Sequence, residues 1–381
     1  MTQVMLYLKH FPVDGAVKDG TSTAVSGLAA GLAANGAEVT VLSEGPERRS
    51  HADPRGYAIE CFRNPIPGRS FALAPELKAH VRDRLAGRRG MCLVNGMFHP
   101  SVYALGRWLR RTGVAYVVAP HDPYDGVVFR RNPHLKWPYW LVFERRLLAR
   151  AAAVQVLDTR HGECLRRLGV ATRVLETDNG IAPERVPEEA SLRWSAAHAP
   201  ARFVFLGRID AYNKGLDTLI DAYARLRGRS DARLTLQGPD WGDRARLERR
   251  AGRAGVAGRV DFRGPDYARA APEILAEHDV FCLPSRFEGF SLAALEAMLA
   301  ARVLLVSERA GIARHVEASG CGVTVSPTVE GVAVGLDGLL RRRDAWREMG
   351  LRGRRYALAR LRWDGIAAQL LRQYERLLAR P

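Results

Sequence analysis

The sequence predicts two doubly wound α/β domains in tandem, and three observations carry that prediction. At 381 residues the chain is too long for one ordinary α/β domain and suits two. Short apolar runs rich in Val, Leu and Phe alternate with helical periods along most of its length. One central segment, 178–200, breaks the rhythm with Asn179-Gly180, Pro183, Pro187 and Pro200, and reads as the interdomain connection.

In the first domain, residues 4–8 form a short strand and a loop with Pro12, Gly15 and Gly20 follows. Residues 21–35 show helical spacing, with Thr21 or Ser22 as cap and Gly36 as stop. Residues 38–42 form the next strand. Strand, glycine loop, helix and strand within so short a stretch make a βαβ unit, whose crossover enforces parallel pairing. Strands at 91–94, 115–119, 154–157 and 172–175 continue the series, with helices at 101–111 and 139–150. The second series has strands at 203–206, 233–236, 260–262, 280–283 and 303–306. Its helices lie at 216–226, 244–254, 292–301 and 330–341. Residues 345–378 read as one amphipathic helical stretch.

Composition narrows the function. With 47% hydrophobic residues the chain fills two cores, which excludes global disorder. The formal net charge of +17 points to nucleic acid, a membrane surface or an acidic ligand. Lysine, however, occurs only at Lys9, Lys18, Lys78, Lys136 and Lys214, so the excess is arginine spread along the chain. Runs such as Arg110-Arg111 and Arg341-Arg342-Arg343 fit solvated helix faces better than a dedicated nucleic-acid surface. The five scattered cysteines form no CxxC pair or Cys/His cluster, so neither a disulfide framework nor a zinc site is expected. The N-terminal apolar run meets Lys9 too soon for a signal peptide, and no run approaches the roughly 20 residues of a membrane span. A cytoplasmic protein follows, at most peripheral to the inner face of a membrane.

In doubly wound sheets ligands bind at the carboxyl ends of the strands, and three constellations fall there. Arg208 and Lys214 stand six residues apart between Gly207 and Gly215, spaced to bracket a diphosphate; an ordinary solvated loop would carry the same residues. Glu288-Gly289-Phe290-Ser291-Leu292 then leads into a helix containing Glu296. This offers amides at a helix N-terminus, with one carboxylate outside it and one within its first turns. Glu296 sits among Leu295, Ala297 and Met298, where an unliganded carboxylate is costly. The third constellation is His121-Asp122-Pro123-Tyr124, placed to touch substrate; a loop histidine is also a common surface residue.

These residues carry a resemblance. Gly207-Arg208 with Lys214-Gly215, followed by Glu288-x7-Glu296, resembles the signature of glycosyltransferase family 4. Phe11-Pro12 through Gly20, Pro120-His121, Glu144-Arg145-Arg146-Leu147-Leu148, Asn179-Gly180-Ile181 and Trp363 to Tyr374 extend the similarity over nearly the whole chain. The resemblance implies the GT-B fold, two Rossmann-like domains facing a central cleft. It assigns 1–180 to the acceptor, 181–355 to the nucleotide sugar, and 356–381 to a helix returning to the first domain. It implies a retaining hexosyltransferase that uses a nucleotide-diphosphate sugar and no metal or other cofactor. Arg208 and Lys214 would neutralise the diphosphate, Glu288 would hold the transferred sugar and Glu296 the ribose. The amides of Gly289, Phe290, Ser291 and Leu292 would meet phosphate or sugar oxygens. His121 would lie beside the reacting sugar, and Gly20 would let the first loop approach. Asp19 and Asp122 stand where relatives often have glycine. The acceptor is a glycan, a lipid-linked saccharide or a small molecule; the basic surface and the apolar residues 137–148 lean towards an anionic membrane. Two other readings are a nucleotide-sugar epimerase or hydrolase of the same fold, and a non-catalytic basic binding protein. The second would need clustered Lys/Arg with interleaved aromatics, which the sequence lacks.

Overall fold

A computed structural model of the chain describes residues 1–14, 19–66, 68, 70–196, 199–228 and 230–379. Of the glycine loop at 15–20, Asp19 and Gly20 are described, and Gly15 lies outside the described residues. The chain forms two compact units, Met1–Gly180 with Trp363–Pro381, and Ile181–Arg362.

The first unit holds an eight-stranded sheet. Its strands are β1 (Gln3–Tyr7), β2 (Glu38–Gly45), β3 (Arg49–Asp53), β4 (Tyr57–Arg63), β5 (Gly90–Asn95), β6 (Tyr116–Ala119), β7 (Ala153–Val156) and β8 (Val174–Glu176). They lie in the order β3-β4-β2-β1-β5-β6-β7-β8, all parallel except β3 against β4. The strand order reverses at β1, which pairs with β2 on one side and β5 on the other. β1, β6 and β7 are buried at every residue, as expected where helices cover both faces. The hairpin of β3 and β4 escaped the sequence reading because β3 is polar and exposed over four of its five residues.

Helix Gly20–Ala34 packs on this sheet, and its cap is Asp19 rather than Thr21 or Ser22. The Asp19 carboxylate accepts from Ser22 N at 2.9 Å and Ser22 Oγ at 2.7 Å. Helix Trp363–Leu378 lies along it, burying Trp363, Ile366, Ala367, Leu370, Leu371 and Tyr374 in the same apolar core as Val25, Leu28 and Leu32. The long amphipathic stretch is therefore two helices, Trp346–Arg360 and Trp363–Leu378, belonging to different units. A boundary at 355/356 would fall inside the first of them; the units divide at 362/363.

The predicted helix 139–150 begins earlier, at Pro133–Tyr139, and passes through a π-turn, Trp140–Glu144, into Arg145–Ala149. Such a turn inserts a residue and changes which side chain faces the core. Here the core receives Glu144, with no exposed surface. Its Oε1 accepts from Phe98 N at 2.8 Å and Tyr124 Oη at 2.6 Å, while Oε2 is buried with no partner among the described residues. Burial pushes its carboxyl up to about 7, against those two hydrogen bonds. The folded state thus holds a proton that the unfolded state has released between the ordinary glutamate value and about 7. Stability falls as pH rises through that window, by up to about 3 kcal/mol from this group. We expect Glu144→Gln to remove that part of the slope, so its Tm relative to wild type rises between pH 5 and pH 8. An unchanged difference would show that Glu144 is ionised throughout.

The second unit holds a six-stranded, all-parallel sheet of β9 (Arg202–Leu206), β10 (Arg233–Gln237), β11 (Val260–Arg263), β12 (Val280–Leu283), β13 (Val303–Ser307) and β14 (Gly322–Val325). Their order is β11-β10-β9-β12-β13-β14, with the reversal between β9 and β12. Among the described residues, no helix is long and apolar enough to cross a membrane. All five cysteines are free.

Candidate active site

The loops after β9 and β12 leave the sheet side by side, at the point where the strand order reverses. This is where a doubly wound sheet opens a crevice at its carboxyl edge. After β9, Asp210 caps the short helix Ala211–Lys214, accepting from Asn213 N at 3.0 Å and Asn213 Nδ2 at 2.6 Å. Gly215 then takes φ +65°, and a Cβ there would lie 2.3 Å from the carbonyl oxygen of Pro284. Only glycine supplies both that dihedral and that closeness. The β12 loop is tied back in turn. Arg286 N donates to Asn213 O at 2.9 Å, and the Arg286 guanidinium grips Asp217 at 2.8 and 3.1 Å and Thr218 Oγ1 at 2.6 Å.

This bracing brings Lys214 to Glu288. The Lys214 ammonium donates to Glu288 Oε2, and the two side chains are only 14% and 10% exposed. Ser285 Oγ also reaches Glu288 Oε2, at 3.4 Å, and the Glu288 backbone bridges to Ala310 after β13. Both charges are thus held before any ligand arrives, each satisfied by the other.

Ser291 caps helix Leu292–Leu299, its Oγ accepting from Ala294 N at 3.2 Å. Phe290, beside it, packs edge-on against His315, whose Nδ1 bonds Tyr356 Oη at 3.1 Å. Glu296, one turn into the helix, has the partner that its apolar neighbours demand. Arg185, from the connecting segment, donates to Oε1 at 3.1 Å. Burial raises the Glu296 carboxyl, and the Arg185 charge opposes that shift. Nothing in the sequence pattern marks Arg185, which lies 111 residues away.

Arg208 behaves differently from Lys214. Its guanidinium lies 4.4 Å from the centre of the Trp241 ring, and among the described residues it forms no ion pair. The expected bracket is therefore one cation fixed by a carboxylate and one resting on an aromatic face.

In the first unit, His121 follows β6 at φ +67°, a left-handed conformation uncommon outside glycine. Its Nε2 is 2.8 Å from Asn95 Oδ1. The Asn95 amide nitrogen already donates to Tyr7 O at 3.1 Å and Leu93 O at 3.4 Å, so the oxygen accepts and His121 carries its proton on Nε2. Burial pushes the imidazole down to about 4, against the pull of the Asp19 carboxylate. The ring is neutral near pH 7, with Nδ1 as an acceptor. The sequence reading missed Asn95, which hides at the end of an apolar strand.

Two family models match the chain: "Glycosyl transferase 4-like domain" over residues 19–180 and "Glycosyl transferases group 1" over 200–342. An MMP α-(1→4)-mannosyltransferase of Mycolicibacterium hassiacum is 30% identical over 333 residues, covering 78% of this chain and 73% of that protein. A GDP-mannose-dependent α-(1-6)-phosphatidylinositol dimannoside mannosyltransferase of Mycobacterium tuberculosis is 28% identical, over 92% of this chain and 91% of its own length. Among solved structures, sucrose-phosphate synthase from Thermosynechococcus elongatus shares the fold with a TM-score of 0.76 at 21% identity, each chain covered completely. By the two matched domains and the length shared with these relatives, the chain belongs to the GT4-type glycosyltransferases, and its fold is GT-B.

Proposed function

We propose that this glycosyltransferase moves a hexose-type sugar from a nucleotide-diphosphate donor to a hydroxyl acceptor, with retention at the anomeric carbon and without a metal. The observation that carries the reading is the Lys214–Glu288 pair on the two loops at the strand reversal. When donor binds, the pair opens. Lys214 turns to the diphosphate, joined by Arg208, and Glu288 accepts hydroxyls of the sugar. Positive charge held at the departing oxygen stabilises the leaving nucleotide as the glycosidic bond breaks. The amides of Gly289, Phe290, Ser291 and Leu292 meet phosphate or sugar oxygens at the helix N-terminus. Glu296, steadied through Oε1 by Arg185, keeps Oε2 for the ribose hydroxyls. Gly20 lets the first loop come close, and neutral His121 accepts a sugar hydroxyl at Nδ1. Front-face attack by the acceptor then retains configuration. The mannosyltransferase relatives favour a hexosyl donor, and the acceptor is a glycan, a lipid-linked saccharide or a small molecule.

A panel of UDP-, GDP-, ADP- and dTDP-hexoses tests this, read by thermal shift and nucleotide release with and without glycan and lipid-linked acceptors in EDTA. One donor consumed faster with an acceptor, giving a product of unchanged anomeric configuration, supports the reading. Donor isomerised without transfer would make the chain an epimerase, and hydrolysis indifferent to every acceptor would make it a hydrolase.

The Asn95–His121 bond gives a second measurement. Asn95→Leu should lower kcat/KM about 10-fold, the worth of one orienting hydrogen bond, while leaving the donor-dependent thermal shift intact. Unchanged turnover would show that the Asn95 bond does not orient His121 for the reaction.

The acceptor side also favours an anionic bilayer. Leu135, Trp137, Leu141 and Val142 are exposed on the helical segment after Asn132. Between residues 126 and 157 six cations accompany one carboxylate, Glu144, which is buried. Apolar side chains flanked by arginines suit the headgroup boundary. Wild-type protein should float with phosphatidylglycerol vesicles at low salt, and Trp137→Ser/Leu141→Asp should not. Wild type left unbound would overturn this placement.

A further inference from the structure

The sheet of the second unit carries a second basic feature at its amino edge, opposite the loops of Lys214 and Glu288. Arg202 opens β9, Arg233 opens β10, and Arg259 immediately precedes β11. Arg202 and Arg233 are register partners in neighbouring parallel strands, so their side chains leave the same face about 5 Å apart. Like charges side by side on one sheet face are destabilising. With Arg263, Asp261 and His278 these three line a cavity of about 300 Å³.

The nearby carboxylates neutralise the row only in part. Asp261 is taken by Arg263 at 3.1 Å, and Glu277 by Arg269. Arg202 is 3.6 Å from Asp279 and donates through Nη2 to Ser195 Oγ at 2.6 Å, but its Nε–H is buried with no partner among the described residues. Among the described residues the Arg259 guanidinium reaches the Ser230 carbonyl and the face of Tyr223 and no carboxylate. The Arg233 guanidinium has no hydrogen bond or ion pair among the described residues, and only its backbone is bonded, N–H donating to Ala201 O at 2.8 Å. A concave site with unspent guanidinium donors recruits phosphate oxygens, which the arginine fork fits in bidentate fashion.

We propose that this cavity binds a free phosphate-bearing anion of the size of a diphosphate or a sugar phosphate, at a site separate from the donor's. No large apolar side chain lines it, so it suits a soluble ligand rather than a lipid headgroup attached to its acyl chains. The ligand neutralises the Arg202–Arg233–Arg259 row and ties three strand ends together.

Calorimetric titration of inorganic pyrophosphate into the full chain tests the proposal. Wild type, Lys214→Ala, Arg233→Glu and Arg233→Lys are compared at physiological salt. Pyrophosphate should bind Lys214→Ala, whose donor site is impaired, and the same site should weaken at least 10-fold in Arg233→Glu and recover partly in Arg233→Lys. Binding lost in Lys214→Ala would assign the anion to the donor site and overturn the proposal. So would binding indifferent to Arg233→Glu. Arg233-dependent capture by vesicles containing a phosphoinositide, with no binding of pyrophosphate, would assign a lipid headgroup and overturn the free-ligand claim.

Discussion

Lys214→Ala and Glu288→Ala each lower kcat/KM by about 100- to 1,000-fold, the loss expected when one preorganised group facing developing charge is removed. Each also lowers Tm, for a reason separate from chemistry. The two side chains are 14% and 10% exposed and satisfy one another. Removing either leaves the other charge largely buried and unpaired, at a cost of up to about 3–5 kcal/mol. The double variant Lys214→Met/Glu288→Leu separates the effects. With both charges gone and similar volumes kept, Tm returns towards wild type while activity stays lost. Thermal denaturation and initial rates on the three variants decide the matter. If the double variant recovers activity with stability, the pair is a structural clamp and the donor binds elsewhere. If the single variants keep wild-type Tm, the ammonium and carboxylate are not dependent on each other.

Gly31→Val destabilises the first unit by about 3 kcal/mol or more, at the upper end for an overpacked contact. A Cβ at Gly31 would lie 2.7 Å from the carbonyl oxygen of Trp363 and 2.8 Å from Cβ of Ala367. The first is backbone, so no rotamer relieves the clash. One turn earlier, a Cβ at Gly27 would meet Trp363 Nε1 at 2.0 Å. The two glycines form a flat seat for helix Trp363–Leu378. For a unit of this size the loss lowers Tm by about 6–12 °C. Calorimetry should show the first unit's transition moving down while that of Ile181–Arg362 stays in place. Equal movement of both transitions, or none, would refute the local account.

Most of the parallel strands were legible as short apolar runs between loops, the stretch 280–283 coinciding with β12. β4, which alternates apolar with polar residues and pairs in parallel with β2, and the short, partly buried β14 were not. β3 was not, since its side chains face water and its pairing with β4 comes from the backbone. The break between the last two helices was hidden for another reason. Amphipathic periodicity continues through it, yet Arg362 pairs with Ile181, and Ile181 N donates to Leu361 O at 2.8 Å. A contact between residues so far apart in sequence leaves no local signature. The site divides in the same way. Lys214, Glu288 and Ser291 follow from motif spacing and loop position. Arg185 on Glu296 and Asn95 on His121 arise from chain segments that only folding brings together.

The first unit's core is closed by Trp363, Leu370 and Tyr374 from the far end of the chain, with the whole of Ile181–Arg362 interposed in sequence. During synthesis, then, the earlier segment is completed only after the later one. The second unit has all its strands once Arg362 has left the ribosome, whereas Gly27 and Gly31 must wait, uncovered, for the final helix. The unit made later in sequence thus has its whole core encoded before the earlier one does.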